Sequence, residues 1–168
     1  IPWLARFSSL SKDQARAKFK LPASATIILL SFGGLGLERL PWERIRRLGE
    51  YFFVATGKTE MSIGNLLILP DEQRQYEDLV RAVDVIVTKP GYGIVADAIA
   101  HQLPMLYTDR GEFPEYPRLV EALRDCATAE FIPQSELLSG NIAPYLQTLY
   151  RNRQTGPQFL LTAPKSRR

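Results

Sequence analysis

The chain has 168 residues, of which 45% are hydrophobic and 23% charged, the composition of an ordinary folded domain and not of a disordered segment. Lys and Arg exceed Asp and Glu by 21 to 18, a formal charge of +3, too small an excess to argue for a nucleic-acid partner. No apolar run approaches the ~20 residues of a membrane-spanning helix, and one Cys with one His makes neither a disulfide framework nor a structural zinc site.

Residues 11–20, SKDQARAKFK, predict a short helix with Ser11 as N-cap and Asp13 near its positive end. ATIILLSF (25–32) is an unbroken, β-branched apolar run, the pattern of a strand buried on both faces of a parallel sheet. After a GGLG turn, LPWERIRRLGE predicts a helix with Pro41 in its first turn. Its Arg44, Arg46 and Arg47 read as solvated surface, as do Lys165, Arg167 and Arg168 at the chain end. YFFVAT, closed by Gly57, and LLILP (66–70), closed by Pro70, follow as strands. EQRQYEDLVRAV (72–83) sets Leu79, Val80 and Val83 at helical spacing. DVIVTK then predicts a strand, GIVADAIAH a helix, PMLYT a strand, and PEYPRLVEALRD a helix from about Pro117. TAEFIP is the expected last strand and NIAPYLQTLYRN the last helix, with Pro144 near its start.

Buried strands alternating with amphipathic helices imply crossover units, hence an α/β fold: a doubly wound, mostly parallel Rossmann-like sheet. Ligands of such sheets bind beyond the carboxyl ends of the strands. That rule selects the loops 32–36, 57–64, 70–72, 88–93 and 108–116.

In the first of these, Gly33 and Gly34 let the backbone approach a phosphate, although the spacing is neither a dinucleotide fingerprint nor a P-loop. A turn that merely needs positive φ reads the same way. Lys89-Pro90-Gly91-Tyr92-Gly93 ends a buried strand and opens a helix, so its amides and Lys89 could hold an anion. Asp97, one turn further, could accept hydrogen bonds from ribose hydroxyls. It could equally complement the helix dipole, worth ~0.3–1 kcal/mol. Asp109 and Glu112 could hold sugar hydroxyls or form an ordinary polar turn, and Tyr92 could shield a ligand or cover an apolar edge. His101, at a helix end, fits capping better than catalysis. Cys126 reads as a small core or edge residue; a single thiol fits a reducing compartment, here the cytoplasm. Nothing at the start reads as a signal peptide, and Ile1 is no initiator methionine. The expectation is one domain over residues 1–168, cut from a longer two-domain protein.

The order of strand, GG loop, helix and strands, followed by DVIVTKPGYGIVADAIAHQLPMLYTD, resembles the C-terminal, donor-binding half of GT-B glycosyltransferases such as the bacterial lipid II N-acetylglucosaminyltransferase. LLSFGG, KPGYGIVADAIAHQLP and EFPEYP together are similar to the glycosyltransferase-like portion that precedes the kinase domain of plant L-arabinokinases. The likeness runs from about Ser11 to Leu149. It implies a nucleotide-sugar donor, a UDP-sugar being favoured, held by Gly33, Gly34, Lys89, Gly91, Tyr92, Gly93, Asp97, Asp109 and Glu112, with Leu69 to Glu72 passing the nucleobase. Asp97 stands where the family carries a ribose-binding acidic residue, usually Glu. No cofactor or metal is implied. The DRGEFPEYP segment lacks the acidic-Gln pair of many donor-sugar sites. The general base and acceptor site belong to the family's N-terminal half, which would precede Ile1, so the chain alone is expected to bind donor without turnover. A regulatory module that keeps the fold, and a nucleotide-sugar 2-epimerase, are the alternatives.

Overall fold

The computed structural model describes residues 4–32, 37–70 and 75–155, without the side chains of 37, 154 and 155. Gly33, Gly34 and the Asp71–Glu72 part of the expected nucleobase segment lie outside the described residues.

Within the described residues seven strands form one sheet in the order β3-β4-β2-β1-β5-β6-β7. β1 (Thr26–Ser31) is central, and Ile27, Ile28, Leu29 and Leu30 are all buried. Alternate residues of this run serve opposite faces, which is why both neighbours of each must be apolar. Each such side chain contributes ~1.5–3 kcal/mol of transfer free energy. β2 (Tyr51–Gly57) and β5 (Val85–Thr88) flank β1 in parallel, and β4 (Leu66–Pro70), β6 (Met105–Tyr107) and β7 (Ala129–Phe131) extend the parallel sheet outward. β3 (Met61–Ile63) pairs antiparallel with β4 at one edge. The sequence predicts a loop over 57–64, where the structure forms this edge strand. Gly64, at φ +60, supplies the left-handed residue of the hairpin that brings three residues onto the edge.

One face is covered by α1 (Lys12–Lys18), α3 (Tyr76–Ala82), α4 (Tyr92–Ala100) and α5 (Tyr116–Cys126). The other holds α2 (Trp42–Ile45), α6 (Gln134–Ser139) and α7 (Ala143–Thr155). α1 starts at the predicted cap: the Ser11 hydroxyl accepts from Gln14 N at 3.2 Å, and Gln14 Oε1 accepts from Ser11 N at 2.9 Å. That reciprocal pair satisfies two otherwise orphaned donors.

Three local expectations change. The LPWERIRRLGE helix shrinks to the four residues of α2, with Pro41 as N-cap rather than a first-turn residue, behind a 3-10 turn at Leu37–Arg39. α6 was not anticipated; it ends at Gly140, whose φ of +80 closes the helix in the left-handed region. Cys126 is exposed at the end of α5 and takes no part in the core.

Candidate functional site

The chain leaves β1 toward β2 on one side and later returns through β5 on the other, so the topological switch point lies between the carboxyl ends of β1 and β5. The polar groups there form a connected chain. Thr88, closing β5, donates its hydroxyl to Ser31 O at 2.5 Å, and Ser31 Oγ shares a 2.7 Å hydrogen bond with the Tyr76 hydroxyl of α3. The Arg6 guanidinium sits over the Tyr76 ring, 4.8 Å from its centroid, a cation–π geometry. Burial is the main cause of the raised pKa of the Tyr76 phenol; the Ser31 hydrogen bond and Arg6 partly oppose it.

Arg6 ends the network on Asp97. Its backbone N donates to Oδ1 at 2.9 Å, while Nε and one terminal nitrogen donate to Oδ2 at 3.2 and 2.5 Å. Asp97 is only 1% exposed, whereas the Arg6 side chain is 48% exposed. A buried carboxylate is tolerated only when paired and hydrogen-bonded, and here the pairing comes from the segment before α1. The carbonyl of Arg6 accepts from His101 Nε2 at 2.7 Å, which puts the ring proton on that nitrogen, and the Phe7 ring lies 5.2 Å from the imidazole. His101 is the C-cap of α4, as expected, and it also ties down the segment that carries Arg6.

α4 starts at Tyr92, which places Gly93 inside its first turn and not in a flexible loop. Gly91 is the N-cap, in extended conformation, and supplies no side-chain acceptor to the first-turn amides. Its missing side chain has a reason: a Cβ there would come within 2.7 Å of a terminal nitrogen of Arg110. That nitrogen donates to Pro90 O at 2.7 Å, and the guanidinium lies 4.0 Å from the Phe113 ring centroid. Arg110 thus pins the loop after β6 against the loop after β5.

The fold therefore gathers Gly91, Tyr92, Gly93 and Asp97 on one strand-to-helix unit, with the Asp109–Glu112 loop beside it. Asp109 turns inward on its own loop, where Oδ1 accepts from Gly111 N at 3.0 Å, and Glu112 is exposed. Lys89 points away from Asp97: it lines a cavity of about 30 Å³ with Phe32, Arg39 and Gln134 on the α6 side of the sheet, room for one water. Sequence reasoning gave no role to Arg6, Ser31, Tyr76, Thr88, Thr108 or Arg110, although Thr88, Thr108 and Arg110 lie in the selected loops 88–93 and 108–116. Ser31, Thr88 and Thr108 share one legible signal, a hydroxyl at the end of an apolar strand. Thr108 is wholly buried and its hydroxyl has no partner. Arg6 offers none, because it lies in a segment without periodicity. No cluster of three or more potential metal ligands occurs among the described residues, and none of their helices is long and apolar enough to cross a membrane.

No protein-family model matches the chain. It is 23% identical over 147 residues to L-arabinokinase of Arabidopsis thaliana, a match that takes in 88% of this chain and 14% of that protein. Among solved structures, Acinetobacter baumannii MurG superposes with TM-score 0.56 and 17% identity over 88% of this chain and 46% of its own. The UDP-GlcNAc 2-epimerase of Neisseria meningitidis, solved bound to UDP-GlcNAc, gives 0.58 and 17% over 85% and 41%. The chain thus spans a seventh of its curated relative and less than half of these neighbours. It has the Rossmann-like fold of the GT-B glycosyltransferases.

Proposed function

We propose that this chain is the donor-binding half of a glycosyltransferase, holding a nucleoside diphosphate sugar, with UDP favoured, for transfer to an acceptor bound by a further domain. One observation carries the reading: the uncapped N-terminus of α4 opens at the switch point, with a buried carboxylate one turn behind it. Amides at Gly91 and Gly93 suit a diphosphate, and stabilising the departing diphosphate needs no metal when oriented amides and a helix terminus face it. Gly33 and Gly34 would complete the phosphate side, and the Thr108 hydroxyl would gain an acceptor. Asp109 and Glu112 stand toward the sugar end, and Lys89, whose side chain lines the cavity on the α6 side of the sheet, would have to turn back to meet the phosphates. The UDP-GlcNAc in the epimerase neighbour supports uridine.

Asp97 reaches a ribose only when the segment carrying Arg6 withdraws, since that segment takes both carboxylate oxygens. This same closure favours a second reading, a nucleotide-sugar-binding regulatory module without turnover. Calorimetric titration with UDP, UDP-sugars, GDP and ADP tests both readings. Binding of one nucleotide, weakened about 10-fold by Asp97→Asn, corresponds to ~1.4 kcal/mol at the ribose contact. No binding of any nucleotide at millimolar concentration removes the donor-site reading for this chain. Binding without sugar transfer in the full-length protein selects the regulatory module.

A further inference from the structure

At the opposite end of the sheet from the α4 site, a cleft of about 370 Å³ opens between α1 and α7, beneath the starts of β1 and β5. Its floor is an ion-paired cluster. Asp84 Oδ1 binds the Lys12 ammonium, and Oδ2 accepts from Arg16 at 2.7 Å and from Ile27 N at 2.7 Å. Arg16 spends its remaining nitrogens on Ala82 O at 3.0 Å and Ala23 O at 2.5 Å. Arg16 and Asp84 are therefore structural: they staple α1 to the sheet, with all three guanidinium nitrogens already engaged.

The rest of the lining is different. Lys12, 41% exposed, keeps two N–H donors beyond the Asp84 contact. Arg153 enters from α7, and Thr26 contributes a hydroxyl from the first position of β1. The Tyr150 hydroxyl is buried and has no partner at full hydrogen-bond geometry; the Thr26 hydroxyl beside it acts as a weak hydrogen-bond partner that lowers its pKa against the larger effect of burial. A buried donor without a full acceptor is destabilising unless something fills its place. Three cations against the single Asp84 carboxylate leave the lining with a surplus of two positive charges. One weakly paired buried hydroxyl and a surplus of positive charge in a cleft of small-molecule size ask for an acceptor-rich anion.

We propose that this cleft is a second binding site, for a phosphate group, with Lys12 and Arg153 meeting its charge and the Tyr150 and Thr26 hydroxyls donating to its oxygens. The phosphate arrives free or as a phosphomonoester of a small sugar; both present the same three-oxygen face. The site owes nothing to the nucleotide reading, since no residue is shared and the two lie at opposite strand ends.

The test is a ¹⁵N–¹H titration of the 168-residue chain with inorganic phosphate and, separately, glucose 1-phosphate. Shifts are expected at the Thr26 and Tyr150 amides, saturating in the millimolar range. Arg153→Ala, on the exposed face of α7, should weaken the affinity about 10-fold, a loss of ~1.4 kcal/mol. Tyr150→Phe should weaken it less, with both variants retaining the wild-type fold by the dispersion of the remaining signals. Equal affinity for the two probes identifies free phosphate as the ligand, and tighter sugar phosphate identifies the ester; either upholds the site. Absence of shifts at tens of millimolar phosphate, or shifts that persist unchanged in Arg153→Ala, overturns it.

Discussion

Arg6 and the Asp97 carboxylate, 91 positions apart in the chain, close a three-bond clamp, two bonds from the guanidinium and one from the backbone N–H, whose shortest contact is 2.5 Å. The clamp draws the segment before α1 across α4 and closes off the carboxylate on which the candidate site is built. Its two halves are unequal, because Asp97 is buried and the Arg6 side chain is half exposed.

That inequality predicts an order of effects. Arg6→Ala leaves a carboxylate buried with only the backbone N–H of residue 6, and should cost ~2–3 kcal/mol of stability. Asp97→Asn leaves a guanidinium that can turn to water, and should cost less, about 1–2 kcal/mol. Urea denaturation of the two variants checks this. A larger loss for Asp97→Asn would mean that the clamp is held from the α4 side alone.

Acid should loosen the same region through a neighbouring contact. Asp78, in the first turn of α3, is held below its ordinary pKa of 3.8, first by the hydrogen bond from Lys18 and then by that from Ser8, each 2.5 Å long. A depressed folded-state pKa means stability that is present above 3.8 and lost as pH falls below it. Asp78→Asn should therefore flatten the acid limb of a stability–pH curve and lower the plateau above it. An unchanged acid limb in that variant would show that Asp78 is not the group titrating.

At the alkaline end Tyr150 sets the limit. Burial pushes its phenol up from 10.0 to about 12. The folded state prefers the protonated form, so this contribution is intact below pH 10 and disappears as pH rises toward about 12. Tyr150→Phe should remove that part of the alkaline decline, read by thermal melts across the window. A decline identical to wild type would assign it to other groups.

Two glycines separate backbone strain from side-chain crowding. Gly140 has φ +80, and a Cβ there would stand 2.8 Å from Arg44 Cβ, so Gly140→Ala should cost ~2–3 kcal/mol. Gly91 has φ −135, an ordinary extended backbone. Gly91→Ala need only push aside the end of Arg110, and should cost about 1 kcal/mol, roughly one hydrogen bond to Pro90. Equal losses at the two positions, measured by chemical denaturation, would refute the distinction.

The core of the fold was legible because its signals are local. ATIILLSF, DVIVTK and PMLYT are apolar on both faces, a pattern that only a doubly covered sheet satisfies. Ser11 and Gln14 announce the start of α1 in four residues. β3 and α6 were not legible. Three edge residues carry too little periodicity to register, and α6 has no side-chain N-cap to announce its start, taking its place from Leu137 packing among Leu40 and Leu146.

The candidate site divides the same way. Sequence alone determined that a helix would follow a buried strand through the Lys89–Gly93 turn and that Asp97 would lie about one turn inside it, because both follow from spacing along a single strand-to-helix unit. Only the tertiary structure decided the partners: Asp97 against Arg6, Tyr76 between Arg6 and Ser31, and Lys89 turned to the other side of the sheet. Those are contacts between segments far apart in the chain. Their geometry is fixed by how the sheet and its two helical layers close, and no local pattern of residues encodes it.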